Sequence, residues 1–370
     1  MKIELHAIQS FAPSNLNRDD NGAPKSAMFG DYRRARISSQ SLKRAMRDAF
    51  GDDADLKGYR TKLIVAKLKD LLTLRGMSAE DVLVAAKAAV EALNLKLVTG
   101  DKTEFLLFVS DQQLEEMADT ISGNANVFLS TAGNKSDQRA KLLLPLLKRG
   151  HSADIALFGR MIASSDRAEL NVDGATQFAH AISTHRADVE YDYFTAVDDL
   201  QSDEEPGAGM LGHIAFNAAC VYRYASVDTS QLYKNLDNDT PKMQRALQVF
   251  LHTFITAVPS GKQNSMAAHN PPTFVLAVVR DSGNWSLANA FVRPVRKGNN
   301  TDVVTDSIKA LDTHWGDLTT VYGTDGTTDI CCIAVGDDAR GALRVLKEAR
   351  VDTLKELIAR ILAAVPECQA

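Results

Sequence analysis

Hydrophobic and polar positions alternate with a period of two at the start of the chain. Ile3, Leu5 and Ala7 fall on one face of residues 2–8, which predicts a first strand. The same period returns over residues 32–37, with Arg34 and Arg36 on one side and Arg33, Ala35 and Ile37 on the other. Ser38 or Ser39 can then cap a helix, because a side-chain oxygen there accepts an orphan N–H of the first turn. In that helix Leu42, Ala45, Met46 and Ala49 recur at i, i+3, i+4 and i+7 and should face the core, leaving Lys43, Arg44 and Arg47 on the outer face before Gly51 ends it. Residues 11–30, rich in Asn, Pro and Gly, read as a loop.

The period then lengthens. Residues 60–74 and 79–95 are helical by spacing, the second opening on Ser78 and Asp81 in a capping-box arrangement. A strand is expected over 104–110, a helix over 112–121, a polar connection over 122–136 and an apolar helix over 138–148, so that 51–150 reads as a mostly helical insertion. Residues 154–158 read as a strand leading into Gly159-Arg160-Met161, and 175–183 as another apolar element. Residues 188–205 carry eight Asp/Glu and no Lys or Arg, yet include Tyr191, Tyr193, Phe194 and Val197. With a turn at 206–209 and a long strand over 213–225, this predicts an extended hairpin with a flexible tip. Helices are expected over 240–258, 302–322 and 352–364, and strands over 273–280 and 329–335. Strands interleaved with helices predict an α+β fold built on a ferredoxin-like sheet with long insertions.

Composition narrows the class. The 370 residues are 45% hydrophobic and 24% charged, with a formal net charge of -5, as for an ordinary soluble protein. Residues 18–47 reverse that sign, with eight Lys/Arg against three Asp, a local +5. Such a reversal points to a polyanion. Ser38, Ser39, Gln40 and Ser41 add neutral donors at a helix N-terminus, where backbone N–H groups already favour phosphate. No apolar run approaches a membrane span and the first residues lack a signal-peptide core, so a cytosolic protein without membrane contact is expected. Cys220, Cys331, Cys332 and Cys368 form no C-x-x-C pair and read as reduced and structural.

Catalytic and cofactor motifs are weak. Gly207 to Gly212 matches G-x-G-x-x-G by letter, but Asp203, Glu204, Glu205 and Pro206 precede it where a strand is required, so a hairpin tip is the better reading. His180 and His185, five apart, fit no metal-binding pattern and read as structural. Asp198-Asp199 could hold Mg²⁺, though adjacent carboxylates in a hairpin are usually a solvated face. No catalytic residue, cofactor or metal is therefore expected. Lys262, after Pro259-Ser260-Gly261, and Arg293, Arg296 and Lys297 would extend the first basic region into a track for a single strand.

The run from Arg33 to Arg47, preceded by Asn15-Leu16-Asn17-Arg18-Asp19-Asp20, closely resembles the CasC (Cse4) family, the repeating crRNA-binding backbone subunit of the type I-E CRISPR Cascade complex. The resemblance continues through residues 154–160, 172–175, 179–182, 193–200, 222–225 and 258–263. It implies an RNA-recognition-like palm (1–50 and 151–370), a helical fingers insertion (51–150) and a thumb hairpin (about 190–225). It further implies a non-enzymatic subunit of an antiviral ribonucleoprotein, polymerising with copies of itself along CRISPR RNA beside other Cascade subunits and presenting bases to target DNA. Holding any spacer requires gripping phosphates and sugars while leaving base edges free. Carried over by position, Arg18, Lys25, Gln40, Lys43, Arg44, Arg47 and Lys262 match backbone-contacting residues, with Arg34, Arg36, Arg160, Arg167, Arg296 and Lys297 as further RNA-binding candidates. Phe194, Thr195 and Val197 match the thumb segment that wedges against displaced bases. Ser164-Ser165-Asp166-Arg167 departs from a methionine-containing loop of the family. The alternative reading is a type III-like backbone subunit that cleaves target RNA.

Overall fold

The computed structural model describes residues 1–370 except 131–135, 163–164, 197–209, 297, 299–300 and 367–370. Two compact units divide these residues. The first comprises 1–49, 177–226 and 250–365, the second 50–176, 227–249 and Pro366.

The first unit is organised on a nine-stranded sheet: β1 (Lys2–Ser14), β2 (Ser26–Phe29), β3 (Tyr32–Ile37), β4 (Thr176–Phe178), β5 (Ala181–Ser183), β6 (Glu190–Ala196), β7 (Met210–Asp228), β8 (Phe274–Arg280) and β9 (Thr327–Ala334). The order is β9-β8-β1-β7-β5-β3-β2, with β4 and β6 also pairing with β7. β1 runs antiparallel to β8, β8 to β9, β5 to β7 and β3, and β2 to β3. This is a mixed α/β fold with a large antiparallel sheet. The segment 11–30, expected as a loop, instead continues β1 to Ser14 and supplies β2, which pairs with β3 from Ser26↔Ala35 to Phe29↔Tyr32.

β1 shows why it is central. Ile3, Leu5 and Ala7 are buried as the alternation predicts, but Glu4 and His6 on the other face are buried too. A charge there needs partners. Arg280 Nε lies 2.7 Å from Glu4 Oε2, and Tyr224 Oη and the Trp285 N–H both donate to Glu4 Oε1. His6 Nδ1 meets Tyr222 Oη at 2.9 Å, and burial brings its pKa down to about 3. Cys220, Cys331 and Cys332 are free and buried, with burial pushing their thiols up to about 11, 12 and 12, so they are inert. Cys368 lies outside the described residues.

The second unit is mostly helical. Ile64–Leu74, Ala79–Ala92, Asp111–Gly123 and Ser136–Leu147 pack Leu68, Leu72, Ala85, Ala89, Leu114, Ile121, Leu143 and Leu147 into one core. Ser78 caps the second helix by accepting from the Asp81 N–H. Ser110 and Gln113 form a full capping box on the third, which starts one residue before the expected helix. Residues 154–158 are not a strand. They form the helix Ala153–Phe158, started at Ser152 and ended by Gly159 at φ 80°, where Gly174 packs so closely that a side chain on either residue would strike backbone. A short apolar run cannot by itself distinguish a buried helix from a strand.

Candidate nucleic-acid interface

Asn17 gathers the basic segment. Its Oδ1 accepts the Ser38 N–H at 2.8 Å and its carbonyl accepts the Lys25 N–H at 2.9 Å, while the Lys25 carbonyl accepts the Arg36 N–H at 2.9 Å. Arg18 is bridged to Pro24 in the same turn, whose Asp19 carboxylate takes the Asn21 and Ala23 N–H groups. Asp19 thus shapes the turn. Arg18, Lys25, Arg36 and the Ser38 helix start are therefore held together by backbone geometry.

Ser38 is the cap of the two candidates, its Oγ accepting the Ser41 N–H at 3.3 Å. The helix Ser39–Ala49 buries Leu42 and Met46, whereas Ala45 is half-buried and Ala49 exposed, so the core-facing stripe is narrower than its spacing suggests. Gln40, Lys43, Arg44 and Arg47 stand at i, i+3, i+4 and i+7 and share the other face. Arg44 pairs with Asp48 at 2.8 Å, an exposed contact of small energetic weight.

Two candidates must be removed from the interface. Arg34 is wholly buried. Its Nη1 donates to the Ser183 and Thr184 carbonyls (3.1 and 2.9 Å), its Nη2 to those of Phe291 and Val292 (2.7 and 3.1 Å) and its Nε to that of Phe29 (3.3 Å). Both edges of the guanidinium are occupied, and burial lowers its pKa. Arg34 is a clamp, joining β3 to β5 and to the segment that carries Arg296. Arg160 does the same in the helical unit: 3% exposed, it donates to the carbonyls of Leu170, Phe108 and Leu147, and burial lowers it to about 10. Charge counting cannot separate such arginines from exposed ones.

The remaining candidates are scattered by comparison. Arg296 is exposed in a loop anchored by the Val295 N–H on the Thr184 carbonyl, and Lys297 lies outside the described residues. Arg167 is carried on the short 3-10 helix Ser165–Leu170 of the helical unit. Lys262 sits at φ 53°, a left-handed conformation uncommon for a residue with a side chain. It is held there because Gln263 Nε2 ties the turn to the Pro259 and Ala268 carbonyls. Gly261 lies so close to Leu16 that a Cβ would stand 2.5 Å from that carbonyl oxygen. An open cleft of about 480 Å³ is lined there by Arg18, Asp19, Asp20 and Gly261, the residue before Lys262.

The hairpin is real. β6 and β7 pair from Glu190↔Phe216 to Ala196↔Met210. Phe194 lies over Gly212, which has no side chain to displace it, and Thr195 is exposed. Tyr191, Tyr193, Met210 and Leu211 of the same two strands are exposed as well. Val197, Asp198 and Asp199, and the Gly207 to Gly209 part of the glycine motif, lie outside the described residues.

His180 was read as structural. It adjoins Lys25, Arg36 and the first amide of the basic helix. His185 accepts the Cys220 N–H and is structural as expected. Among the described residues no cluster of His, Cys, Asp and Glu could hold a metal, and no helix is long and apolar enough to cross a membrane.

No curated protein matches this chain in sequence. Among solved structures, a chain of a "CRISPR RNA-guided surveillance complex, pre-nicking" is similar at 30% identity and a TM-score of 0.84, over 98% of this chain and 100% of that one. A chain of a second "CRISPR RNA-guided surveillance complex" is similar at 26% identity and a TM-score of 0.73, over 99% and 100%. A family model described as "CT1975-like protein" matches residues 3–360, and with nearly the whole chain covered this protein belongs to that CRISPR-associated (Cas) family.

Proposed function

We propose that this chain is a non-catalytic backbone subunit of a type I-E Cascade complex, which polymerises along CRISPR RNA, grips its phosphates and presents spacer bases to target DNA. The observation that carries this reading is the whole-length similarity to a chain of an RNA-guided surveillance complex. The basic surface supports it from independent physics. Arg18, Lys25, Arg36, Gln40, Lys43, Arg44, Arg47 and Lys262 are donors suited to phosphate, the group that sequence-tolerant binding must grip. In this reading the nine-stranded sheet is the palm, the helical unit the fingers and the β6–β7 hairpin the thumb, whose Phe194 and Thr195 contact bases in a neighbouring repeat.

The experiment is to capture the tagged chain from its native cytoplasm and sequence the RNA that comes with it. Uniform small RNAs derived from a repeat array, accompanied by other Cascade subunits, are expected. Heterogeneous cellular RNA or none would reject the assignment. Lack of catalysis is tested by incubating the complex with complementary RNA in Mg²⁺. Cleavage at regular intervals, abolished by Asp198→Ala with Asp199→Ala, would replace this reading with the RNA-cleaving alternative.

A further inference from the structure

β5 is short, and its register decides what stands beside the basic helix. Arg36 faces Ile182 and Ile37 faces Ala181 in antiparallel pairing, so His180, the residue just before β5, arrives at the helix start. There the Ser39 N–H donates to His180 Nδ1 at 2.9 Å. A ring nitrogen that accepts carries no proton, so the neutral imidazole bears its hydrogen on Nε2. The residue is exposed, and among the described residues Nε2 has no partner. Three elements meet at this ring, and the charged groups they bring are Lys25 ahead of β2 and Arg36 on β3, while the helix start brings the uncharged Ser39 and Gln40.

We propose that His180 is a further RNA-binding residue, one that donates its Nε2–H as an uncharged group to a phosphate oxygen held between Arg36 and Lys25. This rests on the reading of the chain as a CRISPR RNA-binding subunit, and names a contact within that site. The Ser39 amide fixes the tautomer and aims the ring. Partial burial and the two neighbouring cations lower the histidine's pKa, which keeps the group a neutral donor at ordinary pH instead of a third positive charge. The arrangement sets a neutral hydrogen bond among cationic contacts, and neutral and cationic contacts differ in one measurable respect. A neutral donor releases no counterion, so its removal lowers affinity without changing the salt slope.

The test compares His180→Asn and His180→Gln with the parent in binding to one single-stranded RNA and its DNA counterpart, across salt and between pH 6 and 8. Asn can still accept the Ser39 N–H but cannot reach the Nε2 position, whereas Gln can reach it. The Asn variant should bind both strands about five- to tenfold more weakly, with unchanged thermal stability and salt slope, and Gln should recover part of the affinity. The parent's affinity should not rise at acid pH. Parental binding by the Asn variant would make His180 purely structural. A reduced salt slope, or affinity rising several-fold toward pH 6, would make it a cation, and a weakening confined to RNA would move the contact to the 2′-hydroxyl. Each of these overturns the proposal. Failure of the parent protein itself to bind RNA would instead reject the functional reading beneath it.

Discussion

The sheet edge around β2, β3 and the basic helix and the helical unit are each built on a buried arginine, yet they present opposite surfaces. Residues 51–150 carry 14 Lys/Arg and 14 Asp/Glu, so charge is balanced. It is also locally paired: Arg75 meets Glu115 and Asp119 at 2.7 Å, and Arg149 meets Glu116 at 3.2 Å. Residues 18–47 hold a surplus of five positive charges, and two of their three carboxylates flank the Arg18 turn. Arg160 closes the helical unit inward. Arg34 closes the sheet edge in the same way, but it fixes a strand whose next arginine on the same side, Arg36, remains half-exposed among Lys25 and His180. The lesson is that a basic run does two jobs, and that burial, not sequence position, assigns them.

Separating those jobs by substitution gives the largest expected effects. Arg34→Ala removes the buried guanidinium that ties β3 to β5 and to the 291–292 segment through four carbonyls, and should cost more than about 3 kcal/mol in a urea titration. Arg160→Ala should behave alike in the helical unit. Arg36→Ala, two residues from Arg34, should cost under about 1 kcal/mol of stability while weakening RNA binding. Equal destabilisation by Arg34→Ala and Arg36→Ala would break the comparison.

A middle-sized effect is expected from the helix face. Combined Lys43→Ala, Arg44→Ala and Arg47→Ala should weaken binding equally for unrelated RNA sequences and lower the salt slope by about 0.7 for each phosphate left without its cation. Gly261→Ala sharpens the link to Lys262. Its new Cβ must push away from the Leu16 carbonyl, so a several-fold drop in affinity is expected with the fold intact by circular dichroism.

The smallest effect lies far from the interface. Asp329 is held below the usual carboxylate range, mainly by its hydrogen bonds to Arg360 at 2.6 and 2.8 Å. A depressed carboxylate adds stability above its unfolded value near 3.9 and loses it as pH falls through the lower folded value. Asp329→Asn should therefore flatten the acid limb of the stability profile below about pH 4, by no more than about 1 kcal/mol, and leave RNA binding unchanged.

Much of this was legible in the chain itself. The period-two runs at β1 and β3, the strands β8 and β9, the helix spacing of 39–49 and 64–147, and the hairpin all emerge at or near their expected bounds. What stayed hidden has physical causes. Ala153–Phe158 is a short fully apolar run whose period carries no information. β2 is four residues long and its only signal is its partner β3. Arg34 and Arg160 look like surface charge until the carbonyls that surround them are brought in from residues as far as 258 positions away. His180 reads as a lone histidine because its significance comes from register with β3, a property of the sheet rather than of the residue.

The most direct test of the central claim is a salt titration of binding to two unrelated single-stranded RNAs of equal length, comparing the parent with Arg36→Ala combined with Lys43→Ala and Arg47→Ala. The parent should bind both RNAs with the same affinity and the same steep slope, and the variant should bind both more weakly, with the slope reduced by about 2. An unchanged slope, or a weakening confined to one sequence, would contradict the assignment of this edge as a phosphate-gripping surface.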